Sequence, residues 1–168
     1  MLAAEHGVVL QAAGLQFAGR IDRMDRLEDG SCVLIDYKTG RVSPRDWEGG
    51  RPHDPQLPLY AVNAPDPVAA VVYARIRSGA LRFMGYSRDA KVLPGVRQYR
   101  DWEGLLGGWQ EEVERLGADF RDGRAAVDPK QAGKTCTYCA LQPLCRVHER
   151  MSALAAESED TADAADSA

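Results

Sequence analysis

The stretch VLIDYKTG, Val33 to Gly40, constrains this chain more than any other. Three apolar residues run straight into an acid, an aromatic, a base and a glycine. A strand built for a core therefore ends by presenting Asp36 and Lys38, and charge at the end of a buried element must find a partner there.

The neighbouring residues suggest how that strand is flanked. Val8 to Gln11 and Leu15 to Leu27 read as two strands around an Ala-Ala-Gly turn, and Cys32 to Tyr37 as a third, entered through EDG. If Glu28, Asp29 and Gly30 form a three-residue hairpin loop, with Gly30 at positive φ, residues whose numbers sum to 58 face each other. Asp22 then lies opposite Asp36 and Arg20 opposite Lys38. Side chains at i and i+2 share a face, so Asp22, Asp36 and Lys38 fall on one side of the meander. The other side is expected to carry Phe17, Ile21, Val33 and Ile35. A two-residue loop would shift the register and separate the acids.

Beyond the meander, Arg41 to His53 reads as a loop, and Asp54 can cap a short helix whose first turn tolerates Pro55 and Pro58. Gln56 and Tyr60 are i and i+4 on that helix and share a face. Val68 to Ile76 and Leu81 to Tyr86 are apolar strands joined by RSG. From Trp102 to Phe120, the residues Trp102, Leu105, Leu106, Trp109, Val113, Leu116 and Phe120 follow helical spacing, although Gly104, Gly107 and Gly108 weaken the first half. Asp122 to Lys134 reads as a linker. His6 precedes the first strand and reads as a surface residue.

Two carboxylates held close together are costly unless a cation or a shared proton relieves them. A hard divalent ion such as Mg²⁺ or Mn²⁺ does so through oxygen ligands, and a lysine beside it can orient or deprotonate a water or stabilise charge on a phosphate. Asp22, Asp36 and Lys38 are thus parts for metal-assisted phosphodiester hydrolysis. On residue types alone, Asp36 and Lys38 would equally pair with each other, or with Arg20 and Arg23, at the mouth of a hairpin.

The net charge of −4 is concentrated at one end. Residues 151–168 hold five acids and no Lys or Arg, so the remainder carries 21 bases against 20 acids, a net of +1. That tail, rich in Ala, Ser, Asp and Glu, has little to bury and reads as disordered. With 45% apolar and 27% charged residues the chain reads as globular. No run approaches the roughly 18 apolar residues of a membrane span, and Met1 to Leu10 lacks a signal-peptide pattern, so a cytoplasmic location without membrane attachment is expected. Cys136, Cys139 and Cys145 crowd into ten residues, which points to a metal site, with His148 able to complete a Cys₃His zinc set and a reduced, metal-free end as the remaining alternative. Cys32 reads as a small buried hydrophobe. The expected layout is a core over 1–134, a cysteine-rich segment over 135–150 and the acidic tail over 151–168.

Three blocks in order, GRIDRMD (Gly19–Asp25), VLIDYKTG (Val33–Gly40) and QLPLY (Gln56–Tyr60), resemble the motifs of PD-(D/E)XK nucleases of the RecB exonuclease family. The resemblance implies an α/β fold with a restriction-endonuclease-like core, a mixed β-sheet beginning with an antiparallel meander and flanked by helices. It implies metal ligation by Asp22, Asp36 and the Tyr37 carbonyl, catalysis assisted by Lys38, and Gln56 and Tyr60 bordering the site and the DNA. CTYCALQPLCR, of the form C-x2-C-x5-C, resembles the AddB-like and Cas4-like branches, where such cysteines join an upstream cysteine around a [4Fe-4S] cluster. By the same resemblance the expected partners are DNA, as ends or single strands, and a helicase subunit or domain. The family's N-terminal helical part, with a metal-binding histidine and the fourth cysteine, is expected to be missing.

Overall fold

The computed structural model describes residues 3–77, 80–147 and 149. His148 and the acidic tail lie outside them. The chain divides into two compact units, residues 1–124 and 125–168.

The first unit is a six-stranded sheet in sequence order: β1 (Ala3–Ala12), β2 (Leu15–Arg26), β3 (Cys32–Lys38), β4 (Val68–Arg77), β5 (Ala80–Ser87) and β6 (Arg97–Gln98). The first three strands form the antiparallel meander. β3 pairs with β4 in parallel, β4 with β5 antiparallel, and β5 with β6 in parallel. The sheet is therefore mixed. Parallel pairing needs a crossover, supplied here by a 3₁₀ turn, Pro44–Trp47, and by α1, Gln56–Val62. The longest helix, α2, spans Trp102–Arg121 and is capped by the Asp101 carboxylate, which accepts from the Gly104 N–H at 3.1 Å.

β3 and β4 are central because their sequences are apolar on both faces. Cys32 to Asp36 and Val68 to Ala74 are buried throughout. On one face Leu34, Val71, Tyr73 and Tyr86 pack with Leu57 and Tyr60 of α1 and Trp102, Leu105 and Trp109 of α2. On the other, Val33, Ile35, Ala70, Val72 and Ala74 pack with Val96 from the segment after β5. Arg41 to His53 is not merely a loop. Trp47 is fully buried at its centre; its indole N–H donates to the Tyr73 hydroxyl at 2.9 Å, and its carbonyl accepts from the Trp109 indole at 3.0 Å.

The register of the meander is the one the sequence predicts. The Leu27 N–H reaches the Ser31 carbonyl at 2.8 Å, the Gly30 N–H reaches the Leu27 carbonyl at 3.1 Å, and Gly30 sits at φ 85°. Arg26 faces Cys32 and Arg23 faces Ile35, pairs whose numbers sum to 58. Beyond Arg23 the β2–β3 ladder ends, so neither the expected pairing of Asp22 with Asp36 nor that of Arg20 with Lys38 forms within it. The expected second face also differs. Ile21 is buried with Met24 and Leu34 on the helix-covered side, while Phe17 is 38% exposed. The β1–β2 ladder skips Glu5 and Asp22, with Glu5 at φ 48°, and the alternation of β2 changes sides across that irregularity. His6 lies inside β1, opposite Ile21, rather than before it.

α2 follows its predicted stripe as far as Val113, but Leu116 and Phe120 are exposed. With Phe17, Leu59 and Val113 they line an apolar groove of about 440 Å³. No helix among the described residues is long and apolar enough to cross a membrane.

In the second unit, α3 (Ala132–Thr135) and α4 (Gln142–Cys145) are single turns. Cys136 is buried, Cys139 exposed and Cys145 intermediate, and all three are free thiols.

Candidate active site

The site forms where β3 runs past the end of its ladder with β2. Met24 and Leu34 face each other within the ladder and share the helix-covered side; two residues further along each strand stand Asp22 and Asp36. The Asp22 carboxylate accepts the Tyr37 N–H at 2.9 Å, taking the place of a strand partner that β2 no longer supplies. Alternation sends the Tyr37 ring to the opposite side, where its hydroxyl meets Arg23 at 3.4 Å.

Asp36 is only 3% exposed. Lys38 Nζ lies 2.9 Å from its Oδ2, close enough for an ion pair. The alignment is not that of a hydrogen bond, however, and this buried oxygen has no hydrogen-bond donor. The amine instead donates to Gln56 Oε1 at 3.1 Å. Burial pushes the Asp36 carboxyl above the ordinary carboxylate range; Lys38 pulls it back, and the charges of Asp22 and Asp54 push it further up. Burial acts to lower the Lys38 amine, but Asp36, Asp54 and Asp22 together outweigh it and hold the amine above the ordinary lysine value. Lys38 therefore carries its proton at neutral pH.

α1 brings Gln56 and Tyr60 to the site on one face, at different depths. Gln56 reaches Lys38. Tyr60 is buried, and its hydroxyl donates to the Arg20 carbonyl at 2.8 Å while accepting from the Arg20 N–H at 3.3 Å, two residues before Asp22. The same ring explains Gly19: a β-carbon there would come within 3.0 Å of the Tyr60 ring and 2.5 Å of Leu10. Two of the sequence blocks thus meet as one packing contact, glycine under tyrosine.

Asp54 acts as the helix cap that the sequence suggests, with Oδ1 accepting from the Gln56 N–H at 3.3 Å, but it does more. Its Oδ2 accepts from the Tyr73 hydroxyl at 2.8 Å, and Tyr73 in turn accepts from Trp47. Lys38 Nζ stands 6.0 Å from the centroid of the Tyr73 ring. Asp54 and Tyr73 are site residues that sequence reasoning missed. The only signal was an acid two positions before Gln56, which a capping role already accounted for.

The cysteines are a separate matter. Among the described residues no three His, Cys, Asp or Glu side chains gather into a metal-binding group, and Cys136, Cys139 and Cys145 are not drawn together. Cys32 is fully buried within the helix-side core, and burial pushes its thiol up to about 11, which suits an inert packing residue.

Compared with known proteins, residues 1–146 match the sequence model of the PD-(D/E)XK nuclease superfamily. No curated protein sequence matches the chain. The mixed sheet flanked by helices is consistent with the restriction-endonuclease-like fold of that superfamily. A match over most of the chain, on a fold of this kind, makes it a member of the PD-(D/E)XK nuclease superfamily.

Proposed function

We propose that this chain is the core of a metal-dependent exonuclease of the RecB or AddB kind, hydrolysing phosphodiester bonds of DNA at ends or in single strands, in the cytoplasm, during recombination and repair alongside a helicase. The observation that carries the reading is the buried Asp36 Oδ2, which lacks a hydrogen-bond donor yet stands beside a second carboxylate and an ammonium group. Two neighbouring carboxylates share this one ammonium, and the negative charge left over is what a divalent cation would offset.

Asp22, Asp36 and the carbonyl of Tyr37 are all hard oxygen donors and fit Mg²⁺ or Mn²⁺. When bound, such an ion neutralises charge on the phosphate and eases ionisation of water. Lys38, protonated and anchored by Gln56, points its Nζ–H at the phosphate or the incoming water and keeps its proton while charge builds on phosphorus. The water oxygen bonds to phosphorus and the bond to the leaving sugar oxygen breaks, the water's proton passing to solvent and the leaving oxygen taking one from solvent. Tyr60 fixes β2 two residues before Asp22, whose carboxylate holds the Tyr37 N–H at the end of β3. Among the described residues Cys136, Cys139 and Cys145 do not gather into a metal-binding group, and no step passes through them.

The test combines cleavage and binding. Asp36→Ala and Lys38→Ala each abolish Mg²⁺-dependent degradation of linear DNA, and Asp22→Ala removes Mn²⁺ affinity measured by calorimetry. A second reading, a non-catalytic DNA-binding module of the same fold, draws on the ion pair of Lys38 with Asp36. A parent protein with no affinity for either ion would favour that reading.

A further inference from the structure

The β3–β4–β5 register places three cations in a row across the sheet. Lys38 faces Arg75, and Arg75 faces Arg82. Neighbouring strands lie about 4.8 Å apart, so the row is about 10 Å long. Like charges directly opposite one another destabilise a sheet, yet Arg41 and Arg77 add to the same field: burial and the charges of Arg77, Arg82 and Arg41 all lower the Arg75 guanidinium. The Arg75 Nε is buried without a hydrogen-bond acceptor. Elsewhere Arg23, Arg26, Arg88 and Arg115 each hold a carboxylate. Among the described residues, none of Arg41, Arg75, Arg77 and Arg82 has an ion-pair partner.

The row opens onto a groove of about 660 Å³ along β5, lined by Arg45, Arg82 and Arg97 and by Phe83, Met84 and Tyr86. No Asp or Glu lines it among the described residues. Arg45 and Arg97 are exposed and likewise have no ion pair among the described residues.

We propose that the row Lys38–Arg75–Arg82 and this groove form the track along which a single-stranded polynucleotide leaves the active site, its phosphates on the arginines and its bases against the Phe83–Met84 wall. The proposal deepens the nuclease reading and rests on it only for where the strand leads. Unpaired guanidinium groups beside aromatic and thioether surface, with no acid among them, match a flexible polyanion with exposed bases. A duplex keeps its bases stacked inside and would leave the apolar wall unused.

The test is binding of a fluorescent oligothymidylate in EDTA, where nothing is cleaved. The parent chain is expected to bind it more tightly than a duplex of equal length. The triple variant Arg45→Ala, Arg82→Ala, Arg97→Ala is expected to bind about tenfold or more weakly. Its log–log salt slope should be smaller by about 2, since each arginine that neutralises a phosphate of a single strand accounts for about 0.7 of the slope. Arg82→Lys should keep most of the affinity, and circular dichroism should show each variant folded. A triple variant that binds as the parent does, or a parent that prefers duplex, overturns the track. Binding weakened as expected in a protein that never cleaves DNA with Mg²⁺ sinks the nuclease reading and leaves the track standing.

Discussion

The Tyr60 hydroxyl holds both backbone groups of Arg20, donating to the carbonyl at 2.8 Å and accepting from the N–H at 3.3 Å. One side chain on α1 thereby replaces the strand pairing that β2 loses when it parts from β3, and it does so two residues before Asp22. Tyr60→Phe keeps the ring and removes both hydrogen bonds. The expected cost is about 1–3 kcal/mol of stability in urea unfolding, with weaker Mn²⁺ binding because Asp22 is no longer fixed. Unchanged metal affinity in Tyr60→Phe would show that β2 keeps its course without the clamp.

Gly19 answers to the same ring. Adding a methyl group there brings a β-carbon to 2.5 Å from Leu10 and 3.0 Å from Tyr60. Gly19→Ala should cost about 1–3 kcal/mol, typical of overpacking. Combined with Tyr60→Phe, the loss should be less than the sum of the two, because a ring released from Arg20 can move away from the added methyl group. A double-mutant cycle in urea gives the coupling directly, and strict additivity would argue that Leu10, not Tyr60, takes the clash.

These two positions show how far the letters went. The register of the meander was legible because the loop at Gly30 fixes it, and with it the placing of Asp22 near Asp36. The glycine and tyrosine of the motif blocks could be read as motif members, but not as two halves of one contact, since residues 19 and 60 meet only once the crossover is built. Trp47 was hidden inside a polar, Pro- and Gly-containing stretch that looks like loop; its burial follows from three hydrogen-bonded aromatics far apart in sequence. Ile21 and Phe17 were misplaced because period-two alternation assumes an unbroken ladder, and the β1–β2 ladder skips Glu5 and Asp22. The arginine row was equally invisible, because the pairing of Lys38 with Arg75 depends on the parallel β3–β4 register, which no local signal sets.

Asp54 makes a prediction of its own. Its carboxylate joins the Tyr73 hydroxyl to the start of α1, and Gln56 at that start holds Lys38. Asp54→Ala leaves the buried Tyr73 hydroxyl without its acceptor, at an expected cost of about 1–3 kcal/mol. Asp54→Asn retains an acceptor for Tyr73 and should be milder. In cleavage assays both variants are expected to lower kcat more than KM, since they loosen the lysine rather than the groove. A rise in KM alone would place Asp54 in substrate binding instead.

Metal binding should stabilise the parent protein. With ion at about 100 times its dissociation constant, the gain is about 2.7 kcal/mol, read as a higher Tm in Mg²⁺ or Mn²⁺ than in EDTA. Asp36→Asn should abolish that rise. It also removes a carboxylate that burial disfavours, so the metal-free variant is expected to melt near or above the metal-free parent despite the broken ion pair with Lys38. A variant that still gains Tm from Mn²⁺ would mean that the ion sits elsewhere.

Acid should weaken the turn that sets the register. The Asp29 carboxyl is held down to about 2 from its ordinary 3.8, chiefly by the Ser31 hydroxyl, then by the Ser31 N–H and by Arg88. The folded-state value is depressed, so the stabilisation is fully present above pH 3.8, where the unfolded chain is also ionised, and is lost as pH falls through about 2. The group is fully exposed, so the effect is modest and screened by salt. Asp29→Asn should therefore be less stable than the parent at neutral pH, and the difference should shrink on titration from pH 4 toward pH 2. Because Ser31 and Gly30 fix the three-residue loop, the variant should also show faster amide exchange at Leu27 and Arg26 before any global unfolding. Parallel stability profiles for variant and parent across that interval would show that the loop holds its register through backbone bonds and glycine alone.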